Sequence, residues 1–147
     1  MFKSIAVGTD GSDTATEAVR EAVEMAKAVG ATLELVSAYA PVSEQRLRAE
    51  RRDAPADVQW AINPRREVEA SLIDAADIAR QAGVNVNTHA RQGDPADALL
   101  DVAEEQHADV VIVGNRGMTG AKRFLLGSVP DKVSHHAPCS VLIVRTT

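Results

Sequence analysis

Residues 108–131 read ADVVIVGNRGMTGAKRFLLGSVPD. The apolar run Val110 to Val113 predicts a buried strand over Ala108 to Gly114. Gly114, Gly117, Gly127 and Ser128 then follow in the spacing G-x2-G-x9-G-S. Glycines clustered just past a buried strand mark backbone that turns tightly or approaches another group closely. Ser128-Val129-Pro130-Asp131 reads as a helix start, with Ser128 as the cap, proline in the first turn and an acid three residues on. A helix start carries unpaired N–H groups and partial positive charge, so the segment is suited to an anion such as phosphate.

Working outward, strand and helix signals alternate along the whole chain. Ser4 to Gly8 is a short apolar run closed by the turn-like Thr9-Asp10-Gly11-Ser12. Ala15, Ala18, Val19, Ala22, Val23, Ala26 and Val29 recur at helical spacing up to Gly30, with Thr14 and Glu17 as a capping box. Thr32 to Tyr39 is a second strand. After the polar connection Pro41 to Asn63, Pro64 opens a helix with the stripe Val68, Leu72, Ala75, Ala76 and Ala79, stopped by Gly83. Val84 to Arg91 alternates as an edge strand. Asp94-Pro95 caps a helix that turns Leu99, Val102 and Ala103 inward. Beyond the glycine segment come a helix over Val129 to His136 and a strand over Val141 to Val144.

This order predicts an α/β fold: a doubly wound, five-stranded parallel sheet with helices on both faces and strand order 3-2-1-4-5. In that order the first and fourth strands are neighbours at the topological switch point, where such sheets bind ligands. Thr9-Asp10-Gly11 and the stretch Gly114 to Gly117 therefore converge on one crevice.

Bulk properties narrow the function. The chain has 147 residues, 45% of them hydrophobic but only 3% aromatic, so Ala, Val, Leu and Ile must build the core. A net charge of −5 argues against nonspecific nucleic-acid binding. The single cysteine, Cys139, permits no intrachain disulfide. No apolar run reaches membrane-spanning length, and Met1 to Gly8 is too short for a signal segment, so a cytoplasmic location is expected. P-loop and dinucleotide glycine signatures are both absent.

The glycine-serine spacing resembles the nucleotide-binding motif of the universal stress protein family. Asp10 at the end of the first strand and Pro138-Cys139 before the last one match that family too, and the likeness covers nearly the whole chain. It implies one universal stress protein domain over 1–147 that binds an adenine nucleotide, ATP foremost, with or without Mg2+, in a regulatory or stress-protective role. The implied ligand-binding residues are Thr9, Asp10, Ala38, Val113, Gly114, Arg116, Gly117, Gly127, Ser128 and Val129. Asp10 would lie near the adenosine, with Ala38 flanking the adenine and Val113 beside it. Gly114 and Gly117 would let main chain lie against ribose or phosphate, while Gly127, Ser128 and Val129 would aim N–H groups at the phosphates. The resemblance further implies a homodimer through Val141 to Val144.

Plainer readings stand beside these. Asp10 could hold a divalent cation or simply be a helix-capping residue in a βα turn, Ser128 could serve only as a helix cap, and Arg116, Lys122 and Arg123 could be ordinary solvated cations. Phe124 to Leu126 would anchor their loop. The arginine-rich stretch from Glu44 to Glu69 reads as a solvated flap, docked by Trp60 and Ile62. No residue is placed as a base to orient water, so a slow Mg2+-dependent ATPase is a lesser alternative, as is an interaction module that binds no nucleotide. His89, His107, His135 and His136 are poor catalytic candidates, and no metal site is expected.

Overall fold

The computed structural model describes residues 2–40, 64–115 and 126–146. Its elements run β1 (Ser4–Gly8), α1 (Asp13–Val29), β2 (Thr32–Tyr39), α2 (Pro64–Gln81), β3 (Val86–Gln92), α3 (Pro95–Glu105), β4 (Val110–Gly114), α4 (Ser128–His136) and β5 (Ser140–Val144). The five strands form one parallel sheet in the order β3-β2-β1-β4-β5, as the alternating pattern predicts.

The sheet is wound on both sides. Ile5, Val7, Leu33, Leu35, Val110 and Ile112 point to one face, where they meet Val19, Val23 and Ala26 of α1 and Leu72, Ala76 and Ala79 of α2. Ala6, Val36, Val111 and Val113 point to the other, under Leu99, Val102 and Ala103 of α3 and Val133 of α4. With so few aromatic rings, the close approach is made by alanines: Ala18, Ala22, Ala76 and Ala79 are fully buried. Small side chains there let helix backbones settle near the strands without leaving voids.

Local chemistry explains the boundaries and corrects several of them. α1 is capped by Ser12, whose hydroxyl accepts from Ala15 N at 3.2 Å, and not by a Thr14–Glu17 box. Asp10 Oδ1 accepts from Ser12 N at 2.8 Å, and that side-chain turn sets Ser12 in extended geometry one step before the helix. Gly30 ends α1 in the left-handed conformation at φ 74°, which glycine adopts without strain. β3 starts at Val86 instead of Val84, because Val84 N–H is spent on Ala79 O at 2.9 Å and its side chain plugs the core. α4 begins at Ser128, and its cap is Gly127, whose extended backbone has no capping side chain.

Two polar devices stitch the sheet. Asp109 accepts from Lys3 N at 2.6 Å and Ser4 N at 3.0 Å, tying the start of β1 to the approach to β4; these hydrogen bonds hold its carboxyl below the usual range. Within the sheet, buried Glu34 of β2 faces Asn87 and His89 of β3, with contacts of 3.0 and 2.7 Å.

Candidate functional site

The C-terminal ends of β1, β2 and β4 open onto a cavity of about 400 Å³. β1 and β4 are in register at Ile5–Val110, Ala6–Val111 and Val7–Ile112, so the loops that follow them leave side by side. This is the switch point, since the chain turns left of β1 to β2 and right to β4. A cavity of this volume lies within the ordinary range of small-molecule sites.

Of the residues singled out from sequence, Thr9, Asp10, Ala38, Val113, Gly114, Ser128 and Val129 all line this cavity. Thr9 is buried; its N–H donates to Val36 O at 2.9 Å and its hydroxyl accepts from Gly11 N at 3.1 Å. Asp10 stands exposed at the rim, with Oδ1 held by Ser12 N–H. The other oxygen, Oδ2, is therefore the one that can accept from a ligand hydroxyl. Arg116 and Gly117 lie outside the described residues, as do Lys122, Arg123, Phe124 and Leu125. So do Pro41 to Asn63, with Arg46, Arg48, Arg51, Arg52, Trp60 and Ile62. Leu126, expected to help anchor its loop, is 46% exposed.

Gly127 departs from expectation. It does not line the cavity, and its N–H is committed to Asn115 O at 3.1 Å, so it cannot point at a phosphate. Its role is to cap α4: Gly127 O accepts from Asp131 N at 3.1 Å, the first bond of the helix. Pro130 carries no N–H, so Ser128 and Val129 hold the donors that the first turn leaves for a ligand. Because Ser128 is inside the helix and does not cap it, its hydroxyl is released from the duty that sequence assigned to it.

Apart from Ala38 and Val113, the remaining walls were read from sequence only as core, cap or strand. Val68 of α2 and Leu99 of α3 approach from opposite faces of the sheet, and Val36, Ala38 and Val113 form the floor. Ala15, Ser37, Pro95 and Pro130 complete the lining. The apolar stripe of α2 begins one turn before Leu72, and Val68 at that overhanging position is the signal that could have revealed it. Gly8 approaches Leu99 so closely that a Cβ there would sit 3.3 Å from Leu99 Cδ2, which keeps the floor near α3.

A charged clamp holds the two helix starts together. Lys132 Nζ of α4 reaches Asp97 at 2.7 Å and Asp94, the α3 cap, at 3.4 Å. Asp97 raises the Lys132 pKa above the ordinary value. Asp94 is held low, mainly by the Asp97 N–H that it caps and secondarily by Lys132. None of the four histidines lines the cavity, and the described residues hold no cluster of three or more His, Cys, Asp or Glu side chains suited to a metal. Burial pushes the half-buried Cys139 thiol up, away from reactivity. No helix among the described residues is long and apolar enough to cross a membrane.

Fold and site together define a doubly wound α/β protein with a crevice at its switch point, where apolar walls meet a helix start. The model of the universal stress protein family matches residues 1–145, and the chain belongs to that family. Universal stress protein Rv1636 of Mycobacterium tuberculosis is 40% identical over 147 residues, covering 99% of this chain and 98% of its own. Among solved structures, a universal stress protein in complex with cAMP superposes with a TM-score of 0.75 at 33% identity, covering 99% of this chain and 98% of that one. The universal stress protein of Archaeoglobus fulgidus in complex with dAMP gives 0.67 at 25% identity, over 97% and 98% of the two chains.

Proposed function

We propose that this protein binds an adenine nucleotide, ATP foremost, in the crevice between the β1 and β4 loops, and that occupancy of the crevice serves a regulatory or stress-protective role in the cytoplasm. The observation that carries this reading is the convergence of three chemistries on one cavity. Val36, Ala38, Val68, Leu99 and Val113 offer apolar surface for a flat heterocycle. Asp10 Oδ2 suits a ribose hydroxyl, and the Ser128 and Val129 N–H groups suit phosphate. The relatives solved with cAMP and dAMP support the adenine choice. The whole of 1–147 acts as one domain in this reading, and Mg2+ would accompany the phosphates.

The protein is further proposed to be a homodimer through β5. That strand is a sheet edge, and Leu142 and Ile143 on it are each 36% exposed. An apolar edge with unpaired backbone groups favours pairing with another copy.

Mass spectrometry of small molecules released from the purified protein, followed by calorimetric titration with ATP, AMP and cAMP, tests the assignment. Gly114→Val should weaken ATP binding at least about a hundredfold while leaving the circular dichroism spectrum unchanged, because the side chain occupies ligand space. Unchanged affinity in that variant would remove the crevice as the site. Light scattering that finds a monomer at micromolar concentration would remove the dimer.

A further inference from the structure

We propose that Thr146, acting through Asn115, positions the anion-facing wall of the crevice, so that the segment following β5 helps set ligand affinity. The inference rests on the reading of the crevice as a nucleotide site.

Asn115 lines no part of the cavity, yet it follows Gly114, which does. Its main chain serves two partners. The N–H donates to Val144 O at 2.9 Å, extending the β4–β5 ladder, and the carbonyl accepts from Gly127 N at 3.1 Å. Its side chain serves a third: Oδ1 accepts from both Thr146 N at 2.9 Å and Thr146 Oγ1 at 3.1 Å. One half-buried residue thus joins the end of β4, the cap of α4 and the segment beyond β5.

The mechanical consequence follows from the order of these bonds. Gly127 N–H is fixed by the Asn115 carbonyl, and the next two residues, Ser128 and Val129, carry the donors that face the ligand. The orientation of the Asn115 peptide therefore sets where those donors point. Thr146 locks the Asn115 side chain with two bonds, and without them Oδ1 turns to water and the peptide gains freedom. A binding group must be held within about half an ångström of its productive position, so loosening this peptide weakens the ligand without removing any group that touches it. Linkage makes the effect reciprocal: a ligand that fixes the α4 start must also protect the Thr146 bonds. A partner strand pairing along β5, or one that pulls on the segment after it, would act on ligand affinity by this route.

The experiment compares ATP affinity, by calorimetry, across Thr146→Ser, Thr146→Ala, Thr146→Pro, Asn115→Ala and the Asn115→Ala/Thr146→Pro double variant. Serine retains both donors and should bind as the unaltered protein does. Alanine loses the hydroxyl, and proline loses the N–H as well, so Thr146→Pro and Asn115→Ala should each bind about tenfold more weakly. The double variant should be no weaker than either single one, since both break the same tie. Amide exchange of Thr146 supplies a readout that a merely structural role would not move: saturating ATP should slow it by a similar factor. Equal affinity in Thr146→Pro, additive losses in the double variant, or Thr146 exchange indifferent to ATP would each overturn the coupling alone. Failure of the unaltered protein to bind any adenine nucleotide would overturn the binding reading and the coupling with it.

Discussion

Replacing His89 with leucine should cost about 3 kcal/mol of stability, the scale for leaving a buried hydrogen-bonding group without its partner. The penalty falls on the carboxyl group of Glu34, a residue only 3% exposed in the second strand of a parallel sheet. Its two oxygens are each satisfied once, Oε1 by Asn87 Nδ2 at 3.0 Å and Oε2 by His89 Nε2 at 2.7 Å. On its own face lie Ala6 and Val36, under the α3–α4 layer. Leucine keeps approximate volume, leaving the unpaired carboxylate as the main penalty. The His89 side chain is 15% exposed, so some water reaches the pair and keeps the loss from going higher. For a domain of this length the loss corresponds to a drop of about 6–12 °C in melting temperature. Urea unfolding followed by circular dichroism measures it, with an unchanged denaturant slope as the check on two-state behaviour. Removing both partners together, in Glu34→Leu/His89→Leu, should recover most of the loss, because the buried acceptor is then removed along with its partner. A His89→Leu variant within about 0.5 kcal/mol of the unaltered protein, or a double variant losing the sum of both singles, would refute the reasoning.

Other expectations follow from the same geometry. Ser12→Ala should destabilise by about 1 kcal/mol while Thr14→Ala costs much less, since Ser12 is the cap that α1 uses; equal losses in denaturant titration would contradict this. Acid should weaken the fold in a predictable direction. Asp109 is held low by the Lys3 and Ser4 N–H groups, Asp94 by the Asp97 N–H, and Glu105 by its hydrogen bonds to Arg91. A folded pKa below the unfolded one stabilises fully above the ordinary carboxylate range, and that stabilisation is lost as pH falls through the depressed values. Melting temperature should therefore decline below about pH 4, and Asp109→Asn should flatten part of the decline. The Lys132 shift has the opposite sign, so the clamp between α3 and α4 should weaken as pH rises through its raised pKa.

The amino-acid order alone determined the alternation of strands and helices, the strand order, and the meeting of the Asp10 and Gly114 loops at one crevice. Those features rest on local periodicity, turn residues and a handedness rule that leaves few arrangements, all of which operate within short windows of chain. Seven of the ten ligand-site residues that the family resemblance implied line one cavity, and each sits near the end of an element whose identity was readable. What escaped depended on which group reaches which partner across the fold. Ser128 looked like a cap, but the helix starts one residue earlier in geometry because Gly127 N–H finds Asn115, so the glycine caps and the serine is released. Glu34 read as an ordinary strand position, and its satisfaction by Asn87 and His89, 53 and 55 residues away, exists only once β2 and β3 pair. The Asn115–Thr146 tie likewise needs β4 beside β5 before its atoms can meet. Periodicity tells a residue which face it occupies; tertiary packing alone decides what stands opposite it.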